Sequence, residues 1–186
     1  MNTTRSEAPY TIFPAVREMR PGDGSFALHG ELRITTSHTA IGNRVAATIE
    51  GHAGLILRVV SVEDTVPWLR IGAPGNARPA VSAPEHTQGY RLEVTPEAIV
   101  IVAPDETGLY YGSCTLEQML ATTAPARAVA VELQSVRILD YPALPWRGVM
   151  VDCSRGRVYS LEYLKSLAVM LSRMKMNVLQ LYIEHT

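Results

Sequence analysis

Several features that would assign this chain to a particular functional class are missing from its sequence. No run of about twenty apolar residues occurs, so a membrane-spanning helix is not predicted. The 17 Lys and Arg residues nearly balance the 18 Asp and Glu residues, which leaves a net charge of −1. Because nucleic acids and anionic membranes select basic surfaces, neither is expected as a partner.

Cysteine and histidine give no sign of a metal site. The two cysteines, Cys114 and Cys153, and the histidines before residue 100 do not fall at the spacing of metal ligands, so neither a metal nor a cofactor is expected. The polar start of the chain, Met1–Glu7, is not followed by the apolar run of a secretory signal. We therefore expect a cytoplasmic location and cysteines that are thiols rather than a disulfide.

The remaining composition is that of a folded protein with two parts. With 186 residues and 47% hydrophobic residues, the chain can bury one core, or one small domain and part of another. Prolines at positions 142 and 145 indicate a linker, which places a domain boundary near Asp140. The predicted domains are residues 1–140 and 141–186.

The first domain is predicted to be an α+β module, a mostly antiparallel sheet with two helices on one face. Its clearest element is a β-hairpin, in which apolar and polar residues alternate from Tyr90 to Thr95 and a second strand follows at Ala98. Prolines and glycines predict that residues 1–24 are largely irregular. Weaker patterns predict strands within 25–36, 55–60, 68–71 and 129–139, a helix that Ser37 caps and Gly51 ends, and a second helix over 107–122.

The segment after the linker reads as strand, helix, strand. An apolar run from Trp146 ends in Asp152 and Arg155, a helix capped by Ser160 carries a single apolar stripe, and Asn177–Ile183 is nearly continuous in apolar residues, as in a strand buried on both faces. The stripe residues are Leu161, Leu164, Leu167, Ala168, Leu171 and Met174. This order is the unit of parallel α/β barrels, so a truncated start of a (β/α)8 barrel is predicted.

Two segments resemble family 20 glycoside hydrolases, the β-N-acetylhexosaminidases. Gly89–Leu120 (GYRLEVTPEAIVIVAPDETGLYYGSCTLEQML) resembles their small N-terminal domain, with its hairpin and its Gly-Leu-Tyr-Tyr-Gly helix. Tyr141–Ile183 resembles the start of their catalytic barrel, with Pro-x-x-Pro-x-Arg-Gly, a hydrophobic strand, Asp-x-Ser-Arg, a helix and Met-Asn-Val-Leu. The two motifs occur in the family's order and spacing.

The resemblance implies a retaining hydrolase of terminal N-acetyl-hexosamine residues, with an N-acetyl-hexosamine-containing glycan as the partner of the full-length protein. In the family the 2-acetamido oxygen of the substrate attacks the anomeric carbon, an Asp orients that group, and the adjacent Glu is the general acid. This Asp-Glu pair is expected beyond Thr186, so no catalytic residue is assigned here and the 186 residues alone are expected to be inactive. The chain is therefore interpreted as an N-terminal fragment.

Four residues at the predicted strand ends are substrate-binding candidates: Asp152, Arg155, Glu184 and His185. By the resemblance, Arg155 hydrogen-bonds sugar hydroxyls with its forked donors, and Asp152 supports it. Glu184 and His185 stand where the family has His-x-His-Leu-Thr-Asp, and Gly156-Arg157 replaces a His and an aromatic residue. These departures indicate a divergent subgroup.

Two other functions are open at this point. The chain could be a non-catalytic module that binds carbohydrate or protein, or it could belong to a related enzyme such as an O-linked N-acetylglucosaminidase or an α-glucuronidase, although Asp-x-Ser-Arg disfavours the latter. Because the predicted second strand lacks neighbours, homodimerisation through the exposed truncated barrel strands is also expected.

Overall fold

The computed structural model describes residues 8–75, 78–123, 129–154, 156 and 158–184. The chain divides into two compact units, residues 1–141 and residues 142–186. None of the helices in the described residues is long and apolar enough to cross a membrane.

The first unit is an α+β fold with seven strands and two helices. In chain order its elements are β1 (Glu18–His29), β2 (Arg33–Thr36), α1 (Thr39–Ala53), β3 (Arg58–Ser61), β4 (Trp68–Gly72), β5 (Tyr90–Val94), β6 (Ala98–Val102), α2 (Glu106–Thr123) and β7 (Ala130–Asp140). The strands form one sheet in the order β1-β7-β5-β6-β4-β2-β3. All neighbours are antiparallel except β2 and β3, which run parallel and are joined by α1. The predicted α+β class with a mostly antiparallel sheet is confirmed.

The core lies between the sheet and the two helices. Side chains on alternate positions of the central strands are fully buried, for example Leu92 on β5, Ile101 on β6 and Leu69 on β4. Leu109 and Met119 of α2 are buried in the same cluster. Because successive strand residues point to opposite faces, the residues between them lie on the other side of the sheet, which we call the outer face.

The predicted hairpin and second helix are confirmed almost residue for residue. Tyr90–Val94 pairs with Ala98–Val102 in register, as the alternation indicates. At the start of α2, Asp105 Oδ1 accepts a hydrogen bond from Gly108 N at 2.7 Å, and Oδ2 accepts one from Gln88 N at 2.7 Å. Asp105 therefore satisfies a free N–H of the first helical turn and also holds the loop before β5.

The predicted ends of α1 were wrong. Ser37 does not cap the helix, because its Oγ accepts a hydrogen bond from Trp68 N of β4 at 2.9 Å. His38 takes the N-cap position instead, without a side-chain cap bond. The helix also runs past Gly51 to Ala53, and Gly54 ends it with φ of 71° and an N–H to Glu50 O bond of 2.8 Å.

The prediction that residues 1–24 are largely irregular was wrong for their last part. Glu18–Pro21 belongs to β1 and pairs with Val136–Leu139 of β7, and the register then shifts between Pro21 and Ser25. A proline is tolerated there because β1 is an edge strand with an irregular ladder. The strand predicted at 55–60 is shifted to Arg58–Ser61, since its parallel partner β2 has only four residues.

The second unit consists of β8 (Gly148–Asp152), α3 (Leu161–Arg173) and β9 (Val178–Tyr182). The two strands pair in parallel, from Gly148 opposite Val178 to Asp152 opposite Tyr182. Ser160 caps α3 as predicted, because its side chain accepts a hydrogen bond from Tyr163 N. The unit is thus a β-α-β arrangement.

Burial in the second unit is lower than the apolar patterns predict. Of the α3 stripe, only Leu171 is buried, and Leu161 is 66% exposed. The prediction that β9 is buried on both faces was wrong, since Leu181 is 42% exposed. In the described residues β9 pairs with β8 alone, so these apolar side chains have no further strand beside them.

Candidate functional site

The predicted site residues belong to the carboxyl ends of the two parallel strands of the second unit. Asp152 is the last residue of β8, and the other three come after the end of β8 or β9 in the sequence. Asp152 lies opposite Tyr182, the last residue of β9. Cys153 N donates to Tyr182 O at 2.9 Å and continues the ladder by one residue. The carboxyl ends of both strands are therefore level, and the segments that leave them start from the same edge.

Asp152 holds the chain where it leaves β8. Its Oδ1 accepts hydrogen bonds from Ser154 N at 2.8 Å and from Ser154 Oγ at 2.6 Å. A carboxylate that binds the residue two positions later forms a local turn and leaves fewer of its lone pairs for other groups. Asp152 therefore has a local structural role where the chain leaves β8. Sequence reasoning assigned no role to Ser154, although its place in the Asp-x-Ser motif was a usable signal.

Of the other three predicted site residues, the structure describes only Glu184. Glu184 is exposed, two positions after the end of β9. Arg155 and His185 lie outside the described residues. The structure therefore brings together the strand ends that precede these residues. We call Asp152, Arg155, Glu184 and His185 together the strand-end site.

The opposite ends of the two strands are held by Arg147 and Asn177. The Arg147 guanidinium donates to Lys175 O from Nε at 3.0 Å and from Nη2 at 2.8 Å, and to Leu144 O from Nη1 at 2.6 Å. Asn177 Oδ1 accepts from Arg147 N at 2.8 Å, and Asn177 Nδ2 donates to Pro145 O at 2.8 Å. These bonds fix the register of β8 against β9, so both side chains have a structural role.

Gly148 is required by the same register. A Cβ on Gly148 would collide with the backbone carbonyl of Val178, the residue directly opposite. The Arg-Gly pair of the motif therefore combines a side chain that clamps the loop before β9 with a residue that lets the two strand starts approach closely.

Among the described residues, no group of three or more His, Cys, Asp or Glu side chains could hold a metal ion.

Comparison with known proteins identifies the family. Residues 9–141 match the family model described as glycosyl hydrolase family 20, domain 2. This match covers more than two thirds of the chain and the whole seven-stranded sheet. The chain belongs to glycosyl hydrolase family 20, and its first unit is the family's domain 2.

Curated relatives agree with this assignment. The chain is 29% identical over 133 residues to a β-N-acetylhexosaminidase of Cellulomonas fimi, a match that covers 70% of this chain and 26% of the relative. It is 34% identical over 100 residues to a β-hexosaminidase of Akkermansia muciniphila, which covers 52% of this chain and 19% of the relative. The matched region thus spans about a quarter or less of the length of these relatives.

Solved structures show the same fold. A family 20 β-N-acetylhexosaminidase from Streptomyces coelicolor superposes with a TM-score of 0.70 at 24% identity, over 93% of this chain and 34% of that chain. A mutant β-hexosaminidase from Streptomyces plicatus in complex with GlcNAc also gives 0.70 at 24% identity, over 92% of this chain and 34% of that chain.

Proposed function

We propose that the chain is the N-terminal part of a retaining β-N-acetylhexosaminidase. The observation that carries the proposal is the order of its parts: a family 20 domain 2 at residues 9–141 is followed directly by a parallel β-α-β unit. In this proposal β8, α3 and β9 open a (β/α)8 barrel, whose chemistry lies at the carboxyl ends of the strands. The 186 residues contribute a scaffold and part of one sugar subsite.

The reaction proposed for the whole enzyme uses the substrate's own acetamido group. The 2-acetamido oxygen attacks the anomeric carbon while the glycosidic C–O bond breaks, and a Glu general acid gives its proton to the departing oxygen. Water then gives a proton to the Glu carboxylate and attacks the anomeric carbon, which breaks the bond to the acetamido oxygen and restores the acetamido group, so the configuration is retained. The Asp that orients the acetamido group and the adjacent Glu are assigned to barrel strands that these 186 residues do not include.

Within the strand-end site, Arg155 is the proposed ligand of sugar hydroxyls. A guanidinium presents five donors in a fixed plane, which suits neighbouring hydroxyl groups on one ring. Asp152, through its bonds to Ser154, holds the residue that precedes Arg155. Glu184 and His185 follow the adjacent strand and are proposed to complete the polar edge of the subsite.

The exposed strands suggest how the isolated chain behaves. Val149 and Met150 of β8 and Leu181 of β9 are exposed apolar side chains on a two-stranded sheet. We propose that two copies of the isolated chain associate through these strands, since unpaired strand edges offer free backbone donors and acceptors.

The proposed function is tested by assaying two proteins side by side on an aryl N-acetyl-β-glucosaminide. One is the 186-residue chain, and the other continues through any residues that the gene encodes after Thr186. We expect turnover by the longer protein alone. Hydrolysis by the short chain, or by neither protein, would contradict the proposal.

The role of Arg155 is tested in the longer protein. Replacing Arg155→Ala removes hydrogen bonds to the sugar, so kcat/KM is expected to fall by about a hundredfold, equivalent to about 2.7 kcal/mol. Arg173→Ala, on the exposed end of α3, serves as the matched control and is expected to leave kcat/KM within about twofold. Equal effects of the two substitutions would remove Arg155 from the subsite.

A further inference from the structure

A cavity of about 300 Å³ lies on the outer face of the first unit. Three neighbouring strands, β1, β7 and β5, form its floor. Its lining residues are Glu18, Arg20, Arg91, Glu93, Arg137, Ile138 and Leu139. We call it the outer-face cavity. Three arginines and two glutamates are among its lining residues.

The strand register arranges these charges in two rows. In the first row Arg20 lies opposite Arg137, and Arg137 lies opposite Glu93. In the second row Glu18 and Arg91 both lie opposite Leu139. β1 and β5 thus each carry one arginine and one glutamate two positions apart on the outer face, and Arg137 and Leu139 of β7 lie between them.

These charges do not neutralise one another fully. Arg20 Nη2 pairs with Glu18 Oε2 at 2.7 Å. In the described part of the chain, neither Arg91 nor Arg137 forms an ion pair with Glu93 or any other carboxylate. Two arginines directly opposite each other on neighbouring strands repel unless an anion lies between them.

The Arg91 side chain is half-buried in the lining of the cavity. Within the described part of the chain, its Nε is shielded from solvent and has no hydrogen-bond partner. An oxyanion in the cavity cannot reach this shielded atom, but it would bind the terminal N–H groups of Arg91 and would lie between the positive charges of Arg20 and Arg137.

We propose that the outer-face cavity binds a saccharide that carries an oxyanion, either a carboxylate or a sulfate ester. Guanidinium groups bind planar or tetrahedral oxyanions through paired, charge-assisted hydrogen bonds. The two glutamates accept hydrogen bonds from the hydroxyl groups of the sugar, and the Leu139 side chain contacts an apolar face of the ring. The cavity therefore recognises an acidic sugar in preference to a bare anion or a neutral sugar.

The proposal does not depend on the hydrolase reaction, because all the lining residues belong to the first unit. The test is a titration of the 186-residue chain by isothermal calorimetry with four separate probes: glucuronate, N-acetylglucosamine 6-sulfate, inorganic sulfate and neutral N-acetylglucosamine. We expect at least one acidic sugar to bind about tenfold more tightly than both the neutral sugar and inorganic sulfate. Binding of one acidic sugar alone would identify which oxyanion the cavity prefers.

Variants locate the binding in the cavity. Arg91→Gln is expected to weaken the acidic sugar about tenfold, and Arg137→Gln is the second variant if the first does not fold. Arg58→Gln, at an exposed arginine of edge strand β3, is the matched control and should leave affinity within about twofold. The proposal is overturned if neither acidic sugar binds at millimolar concentration, if inorganic sulfate binds as tightly as both, or if the cavity variants and the control behave alike.

Discussion

Asp64 shows how a single carboxylate fastens a loop of the first unit to its sheet. Its Oδ1 accepts a hydrogen bond from Val66 N at 3.1 Å, and its Oδ2 accepts one from Trp68 Nε1 at 2.8 Å. Arg78 Nε lies 3.4 Å from Oδ2. The hydrogen bonds from Val66 and Trp68, with the nearby Arg78 charge, lower the pKa of Asp64 below its usual value of 3.8.

This lowered pKa predicts a pH dependence of stability. Because the folded state holds Asp64 ionised more strongly than the unfolded state does, its stabilisation is fully present above pH 3.8 and is lost as the pH falls through the lowered value. Asp64→Asn should therefore reduce stability at neutral pH and flatten its decline in acid. Urea unfolding across the acid range measures both effects.

Glu63→Gln is the matched control, since it removes one negative charge from the exposed neighbour of Asp64. If both variants gave the same acid profile, the hydrogen bonds of Asp64 would not account for the pH dependence.

Gly112 sets how closely α2 approaches the sheet. A Cβ at this position would collide with Ile101 Cγ2 and would lie 3.1 Å from Tyr90 Cδ2. Gly112→Ala should therefore destabilise the first unit by about 1–3 kcal/mol, the cost of overpacking a filled core. Equilibrium denaturation measures this change.

Gly51 on α1 provides the opposite case, because nothing lies within 4 Å of a Cβ added there. Gly51→Ala should stabilise the protein by up to about 1 kcal/mol through helix propensity alone. A stabilising Gly112→Ala would show that α2 and the sheet are less tightly packed than described.

Among the elements, α3 depends on its N-cap more than the buried helices do, since Leu171 is its only buried residue. Ser160→Ala removes the hydrogen bond from Tyr163 N and should cost about 1 kcal/mol. Amide hydrogen exchange within α3 should then become about fivefold faster. Ser166→Ala, whose Oγ only donates to Glu162 O, is the control and should leave exchange nearly unchanged. Equal acceleration in both variants would argue against the cap.

Elements formed by local patterns could be predicted from the sequence, and those that depend on distant partners could not. The β5–β6 hairpin and α2 follow from alternation and helical spacing within one segment. The first residues of β1 are a strand because β7 lies beside them, more than a hundred residues later. The sequence pattern predicts that Ser37 caps a helix, but its Oγ instead accepts a hydrogen bond from Trp68 N.

The two candidate sites also differ in how much of each can be inferred from the sequence. The strand-end site stays a prediction, which the sequence suggests because Asp152 and Glu184 follow apolar runs. The outer-face cavity could not be predicted, since Arg20, Arg91 and Arg137 come from three separate segments that only the strand order places together. In the sequence, Arg91 and Glu93 indicate only a solvent-facing side of a strand.

For the molecule as a whole, the exposed β8–β9 sheet predicts self-association of the isolated chain. Met150 is 59% exposed and Ile183 is 64% exposed, beside strand edges that can pair with a second copy. Light scattering at increasing concentration should show a dimer. The double variant Met150→Lys, Leu181→Lys should shift the mass toward the monomer, since charges on an exposed strand oppose pairing. A monomer at every concentration would contradict this prediction.

The central claim is that residues 9–141 and the β-α-β unit belong to a hydrolase that uses the substrate's acetamido group. The most direct measurement follows hydrolysis by the longer protein with proton NMR, on aryl N-acetyl-β-glucosaminide and on the matching aryl β-glucoside, which has a hydroxyl at the 2-position. We predict that only the acetamido substrate is hydrolysed and that the β-anomer of the product appears first. Initial release of the α-anomer, or equal turnover of both substrates, would contradict it.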